Sequence, residues 1–129
     1  MKRGLLVLIG ALGLAACGGG SSGSPAAPAA STPAPTPQTV TFRESEFKIE
    51  PATVTLRPGT YVFQLQDTGQ FPHDLHIAPR GGAELAASSQ MRPGEMASMT
   101  VTLKAGDYVI WCGVDAHRTR GMEGTVTVS

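Results

Sequence analysis

The strongest constraint on the fold is an alternation of apolar and polar residues with a period of two, cut by turn signals at short intervals. The runs are "TVTF" (39–42), "ATVTL" (52–56), "TYVFQLQ" (60–66), "HDLHIA" (73–78), "MASMTVTL" (96–103), "DYVIWC" (107–112) and "GTVTV" (124–128). Successive side chains of an extended strand point to opposite faces, so each run suits a strand with one face buried. The intervening "RPG" (57–59), "DTGQFP" (67–72), "RPG" (92–94) and "KAG" (104–106) are turn chemistry, because Pro presets φ and Gly accepts either sign. Only "GAELAASS" (82–89) admits a helix, and a short one. The expectation is an all-β, Greek-key antiparallel β-sandwich of seven or eight strands, spanning residues 39–129.

The first 38 residues do not share this pattern. Met1-Lys2-Arg3 is a basic start, followed by the apolar run "GLLVLIGALGL" (4–14), too short for a permanent membrane span. It leads into "LAAC" (14–17), which resembles the lipobox of bacterial lipoproteins. That resemblance implies a signal peptide over 1–16 and lipid modification of Cys17. From Gly18 to Gln38 the chain has no charge, no aromatic residue and no aliphatic side chain larger than Ala, so it cannot bury enough surface to order itself. Residues 17–38 therefore read as a lipidated cysteine and a disordered tether. The expected location is the cell envelope, lipid-anchored on the extracytoplasmic side.

Ten Lys and Arg balance ten Asp and Glu, which gives no reason to expect nucleic acid as a partner. Cysteine usage says more. Cys17 and Cys112 are the two in the chain, and lipid on the first leaves the second without a disulfide partner. A lone thiol in an oxidising compartment is either buried and inert or a metal ligand.

Cys112 closes a strand whose alternation sets Tyr108, Ile110 and Cys112 on one face. His117 and Met122 follow at equal steps of five, in the loop before "GTVTV". One loop between two strands can thus gather a thiolate, an imidazole and a thioether. A fourth donor is offered by His73 in "FPHD" (71–74). Two neutral histidines, a thiolate and a weak axial methionine form the donor set of a mononuclear blue-copper site, with copper as the cofactor. "FPHD" before a strand, and C-x4-H-x4-M between "YVIW" and "GTVTV", resemble the cupredoxins, the plastocyanin/azurin group. The resemblance covers 39–129 and implies one-electron transfer at His73, Cys112, His117 and Met122. It also implies that Asp74, where relatives carry Asn, bonds the cysteine loop by accepting a backbone N–H. Four residues between Cys and His resemble azurins and phytocyanins, and four between His and Met resemble plastocyanins and phytocyanins.

Other side chains compete for these roles. His76, three residues after His73, falls on the opposite face of an extended strand and reads as a surface or supporting residue. Met91, Met96 and Met99 are a second thioether group that soft Cu(I) accepts, though core and surface filling is the simpler reading. Arg118 and Arg120 flank His117, where two cations can steer an acidic partner. Trp111 faces away from Cys112 and reads as packing or as a bridge to a second surface. The functional expectation is a membrane-tethered, monomeric electron carrier serving redox proteins of the cell envelope. A copper chaperone or store is the alternative. An enzyme is disfavoured, because three histidines are too few for the multicopper oxidases and nitrite reductases.

Overall fold

The structure, a computed structural model, describes residues 35–129. The expected signal peptide, the lipidation site Cys17 and nearly all of the tether lie outside the described residues. Among the described residues, no helix is long and apolar enough to cross a membrane.

Among the described residues nine strands form in chain order: β1 (Gln38–Ser45), β2 (Lys48–Glu50), β3 (Thr53–Leu56), β4 (Gly59–Asp67), β5 (His76–Pro79), β6 (Ala86–Ala87), β7 (Met96–Leu103), β8 (Gly106–Trp111) and β9 (Glu123–Val128). They make one sheet in the order β2-β1-β4-β7 and a second in the order β3-β9-β8-β5-β6. Alternation along each strand sends one set of side chains inward. Phe42, Phe63 and Leu65 from the first sheet meet Ile77, Ile110 and Val126 from the second, all fully buried. Each such side chain contributes roughly 1.5–3 kcal/mol by leaving water. Phe42 and Phe63 pack edge to face at 5.1 Å. Two tyrosines close the turns that the sequence marks. The Tyr61 hydroxyl donates to the Arg57 carbonyl at 2.8 Å, and the Tyr108 hydroxyl donates to the Lys104 carbonyl at 2.9 Å.

The all-β sandwich is as expected, but the described residues form nine strands rather than seven or eight, and further details differ. First, the sheets are mixed rather than antiparallel: β1 runs parallel to β4, and β3 runs parallel to β9. After β2 the chain crosses from the first sheet to the second as β3, then returns as β4. Neighbours joined by such a crossover are free to run parallel, whereas a hairpin forces them antiparallel. Second, the helix expected over 82–89 does not form. Ala86 and Ala87 instead pair with Ile77 and His76, and the N–H groups of Leu85 and Ser88 bond the carbonyls of Ile77 and Leu75. An eight-residue segment cannot hold a helix against the open edge of β5, because helix nucleation is costly and the edge offers ready partners. The expected strand at 73–78 is also shorter, since it starts at His76; His73 stands ahead of it in a single bridge to Met91.

Both sheets bring strand ends to the same place. In the first sheet Glu44 at the end of β1 lies beside Asp67 at the end of β4. In the second, Trp111 at the end of β8 lies between His76 and Glu123. The segments that leave these ends build the site.

Candidate metal centre

β8 carries its inward parity one residue past its end, so Cys112 follows Tyr108 and Ile110 into the interior. The chain then loops and is closed by its own backbone. Cys112 N–H donates to the Met122 carbonyl at 3.1 Å, Met122 N–H to the His117 carbonyl at 3.1 Å, and His117 N–H to the Val114 carbonyl at 3.0 Å. A short 3-10 turn at Arg118–Arg120 ends on Gly121, whose φ of 103° a side chain disfavours. The chain is thereby turned back so that Met122 enters the core at zero exposure.

His73 reaches the same point from the segment between β4 and β5. Its N–H donates to the Met91 carbonyl at 3.1 Å, and its carbonyl accepts the Met91 N–H at 2.7 Å. The result is a convergence of donor atoms. Cys112 Sγ lies 3.6 Å from His117 Nδ1 and 3.8 Å from His73 Nδ1, and the three donor atoms all fall within 4.8 Å of one another. This is the one such cluster of histidine, cysteine and carboxylate groups among the described residues. Cys112 and His73 are fully buried, whereas His117 keeps 8 % of its surface exposed. His117 is therefore the rim of the site. Around it a shallow depression is lined by Phe47, Phe71, Asp115, Ala116 and Arg120.

Protonation follows burial. Desolvation pushes the Cys112 thiol up to about 11, and it lowers His73 below the usual imidazole range. Without a cation the pocket thus holds a neutral thiol and a neutral His73 imidazole. A soft cation must displace the thiol proton, and it finds the His73 nitrogen lone pair already free. Sulfur and imidazole nitrogen converging in a buried pocket fit copper, and Met122, bonded through its backbone to both Cys112 and His117, is buried too.

Asp74 accepts the N–H of Gly113 through Oδ1 at 2.6 Å, which ties the His73 segment to the residue after Cys112. His76 does not join the cluster. Its ring stacks on Trp111 at 5.4 Å, with Nδ1 2.6 Å from Glu84 Oε2 and Nε2 3.5 Å from Asp74 Oδ1. The three further methionines differ in environment: Met91 and Met99 are core, and Met96 is exposed. Both arginines are engaged within the chain. Arg118 donates to Glu123 at 2.7 Å and covers Trp111, while Arg120 covers Phe47.

Three carboxylates near the site escape a reading by motif. Glu44 is fully buried with both oxygens unpartnered, and its register neighbour Asp67 is buried with Oδ2 unpartnered. The parity of Val40 and Phe42 points Glu44 inward, so alternation alone carried that signal. Glu46 has no such signal. Its Oε1 accepts the N–H groups of Gln70 and Phe71, and these bonds, that of Gln70 foremost, hold its carboxyl below the usual range.

With this geometry in view, comparison with known families is decisive. The model of copper-binding proteins of the plastocyanin/azurin family matches residues 37–129. The chain belongs to that family. A cupredoxin of this kind takes one copper ion, and the buried sulfur–nitrogen cluster suits it. The fold has close counterparts among solved structures. Reduced auracyanin from the photosynthetic bacterium Roseiflexus castenholzii is 21% identical with a TM-score of 0.64, over 71% of this chain and 97% of that one. Auracyanin A, a "blue" copper protein from Chloroflexus aurantiacus, is 18% identical with a TM-score of 0.63, over 73% and 100%. Auracyanin B is 23% identical with a TM-score of 0.61, over 74% and 91%. At these identities the likeness concerns the fold. Comparison with curated proteins gave no match.

Proposed function

We propose that this cupredoxin is a one-electron carrier whose copper is held by His73, Cys112, His117 and Met122. The observation that carries the reading is the placement of Cys112 Sγ within 3.6 and 3.8 Å of two imidazole Nδ1 atoms in a buried pocket. Bound there, copper supplies the one-electron couple between Cu(I) and Cu(II). The chain supplies the rest. Backbone hydrogen bonds and packed strands hold its donors together, which keeps reorganisation between oxidation states small. Cys112, His73 and Met122 are shut away from water, and His117 at the rim is the one donor residue with an exposed edge. A closed thiolate site retains metal, which supports a carrier over a chaperone; Met96 is the sole exposed thioether among the described residues.

The anchoring belongs to the same proposal. Cys17 after "LAA" supports lipidation, and the 21 residues after it, mostly Gly, Ser, Pro and Ala, support a tether that lets the domain reach redox proteins of the envelope as a monomer.

The test is spectroscopic. Adding Cu(II) to the full chain is expected to give an intense visible thiolate-to-copper band, reversible on reduction with the metal retained, and absent from Cys112→Ser. A colourless wild type, or a coloured Cys112→Ser, sinks the assignment. Release of copper to an acceptor on reduction favours the chaperone. Membrane fractionation of Cys17→Ala, expected to turn soluble, checks the anchor.

A further inference from the structure

The two ring nitrogens of His73 meet different surroundings. Nδ1 faces Cys112 Sγ at 3.8 Å. Nε2 is buried and has no hydrogen-bond partner among the described residues. Glu46 Oε1 stands 3.9 Å from it, and the charges of Asp67 and Asp74 also act on the ring. A histidine that gives Nδ1 to a metal keeps its proton on Nε2, and a carboxylate facing that N–H fixes the tautomer and strengthens the nitrogen donor.

Glu46 is held in place for this. It lies just past β1, and the same Oε1 accepts the N–H groups of Gln70 and Phe71, in the segment that leads into His73. Gly69 permits the approach. A Cβ at that position would stand 2.5 Å from Glu46 Oε1 and 2.9 Å from His73 Nε2, closer than real side chains tolerate. Three residues from two distant parts of the chain thus form one arrangement: a pinned carboxylate, an unpartnered ring nitrogen and a glycine that leaves room between them.

We propose that Glu46 is a positioning residue for the copper centre, its carboxylate facing His73 Nε2 so that the proton stays there and Nδ1 is presented to the metal. The inference rests on His73 being a ligand. The negative charge favours the more positive oxidised site, so Glu46 also lowers the reduction potential. Glu46→Gln separates this role from loop support, because the amide oxygen still accepts from Gln70 and Phe71 but carries no charge.

The experiment uses the full chain as wild type, Glu46→Gln and Glu46→Ala. Its readouts are the visible band, competitive Cu(II) and Cu(I) titrations, voltammetry and urea unfolding of the copper-free protein. For Glu46→Gln the expected result is wild-type unfolding, roughly 10- to 100-fold weaker Cu(II) binding and a raised potential. A loss tenfold larger for Cu(II) than for Cu(I) corresponds to about 59 mV for one electron. Glu46→Ala is expected to show the same losses and a lower unfolding midpoint. A coloured wild type with an unchanged potential and affinity in Glu46→Gln overturns the role of Glu46 alone. A wild type without the band overturns the ligand reading, and the inference falls with it.

Discussion

Two segments deliver donors to one end of this sandwich, and they are held by opposite means. The loop from Cys112 to Met122 is closed on itself, with hydrogen bonds among Cys112, Val114, His117 and Met122. The segment from Asp67 to His76 is held by partners far away in sequence. Thr68 N–H bonds the Glu44 carbonyl, Gln70 and Phe71 bond the Glu46 carboxylate, His73 bonds Met91, and Leu75 N–H bonds Ser88 Oγ. The Gly113–Asp74 bond joins the two. A self-closed loop shows in spacing, because its contacts span few residues. A segment held from outside shows nothing in its own sequence beyond the donor it carries.

The largest test of this contrast concerns the support beneath the second segment. Burial foremost, with Asp74 and Asp67 nearby, raises the Glu44 carboxyl from 4.5 to about 8. The folded chain therefore keeps a proton that the unfolded chain releases near 4.5, so stability falls as pH rises from 4.5 to about 8. The whole fall is on the order of 5 kcal/mol, at about 1.4 kcal/mol per unit. Roughly two fifths of it lies between pH 6.5 and 8.5, a window that ends where a free thiol is half ionised. Urea unfolding of the copper-free chain at those two pH values is expected to show this loss. Glu44→Gln is expected to abolish it, and an equal slope in the variant contradicts the account.

Asp74→Ala comes next, because it cuts the bond between the two segments. A hydrogen bond to a charged group contributes about 1.5–3 kcal/mol. The variant is expected to lose that much stability and to release copper faster, whereas Asp74→Asn, which still accepts from Gly113, is expected to keep most of both. Copper dissociation followed by the visible band measures the difference.

The smallest effect is Ser88→Ala, which removes the side-chain acceptor of Leu75 N–H at 3.0 Å. It is expected to cost about 0.5–1.5 kcal/mol. Amide exchange should quicken at Leu75 and His73 while Cys112, His117 and Met122 keep wild-type protection. Equal acceleration in both segments removes the distinction drawn between them.

Much of the fold was legible because burial on one face imposes alternation, and each of the seven runs holds a strand. Strand direction was not legible. Nothing in "TVTF" or "ATVTL" says whether its neighbour arrives by hairpin or by crossover, and both runs took parallel partners. The segment 82–89 misled because its helix propensity is local, whereas the edge of β5 that captured Ala86 and Ala87 is not. In the site, the grouping of Cys112 with His117 follows from a short loop between two strands.

By itself the sequence determined the period-two core and the loop bearing Cys112, His117 and Met122. Those are local properties, set by the pleat of a strand and by residues a few positions apart. Only the tertiary structure decided that His73 Nδ1 meets Cys112 Sγ, that Asp74 holds Gly113, and that Glu44 is sealed beside Asp67. It also set Glu46 behind His73, across Gly69. These contacts join residues more than twenty positions apart. Their geometry depends on how two sheets stack and which strand ends coincide, and no short stretch of chain encodes that.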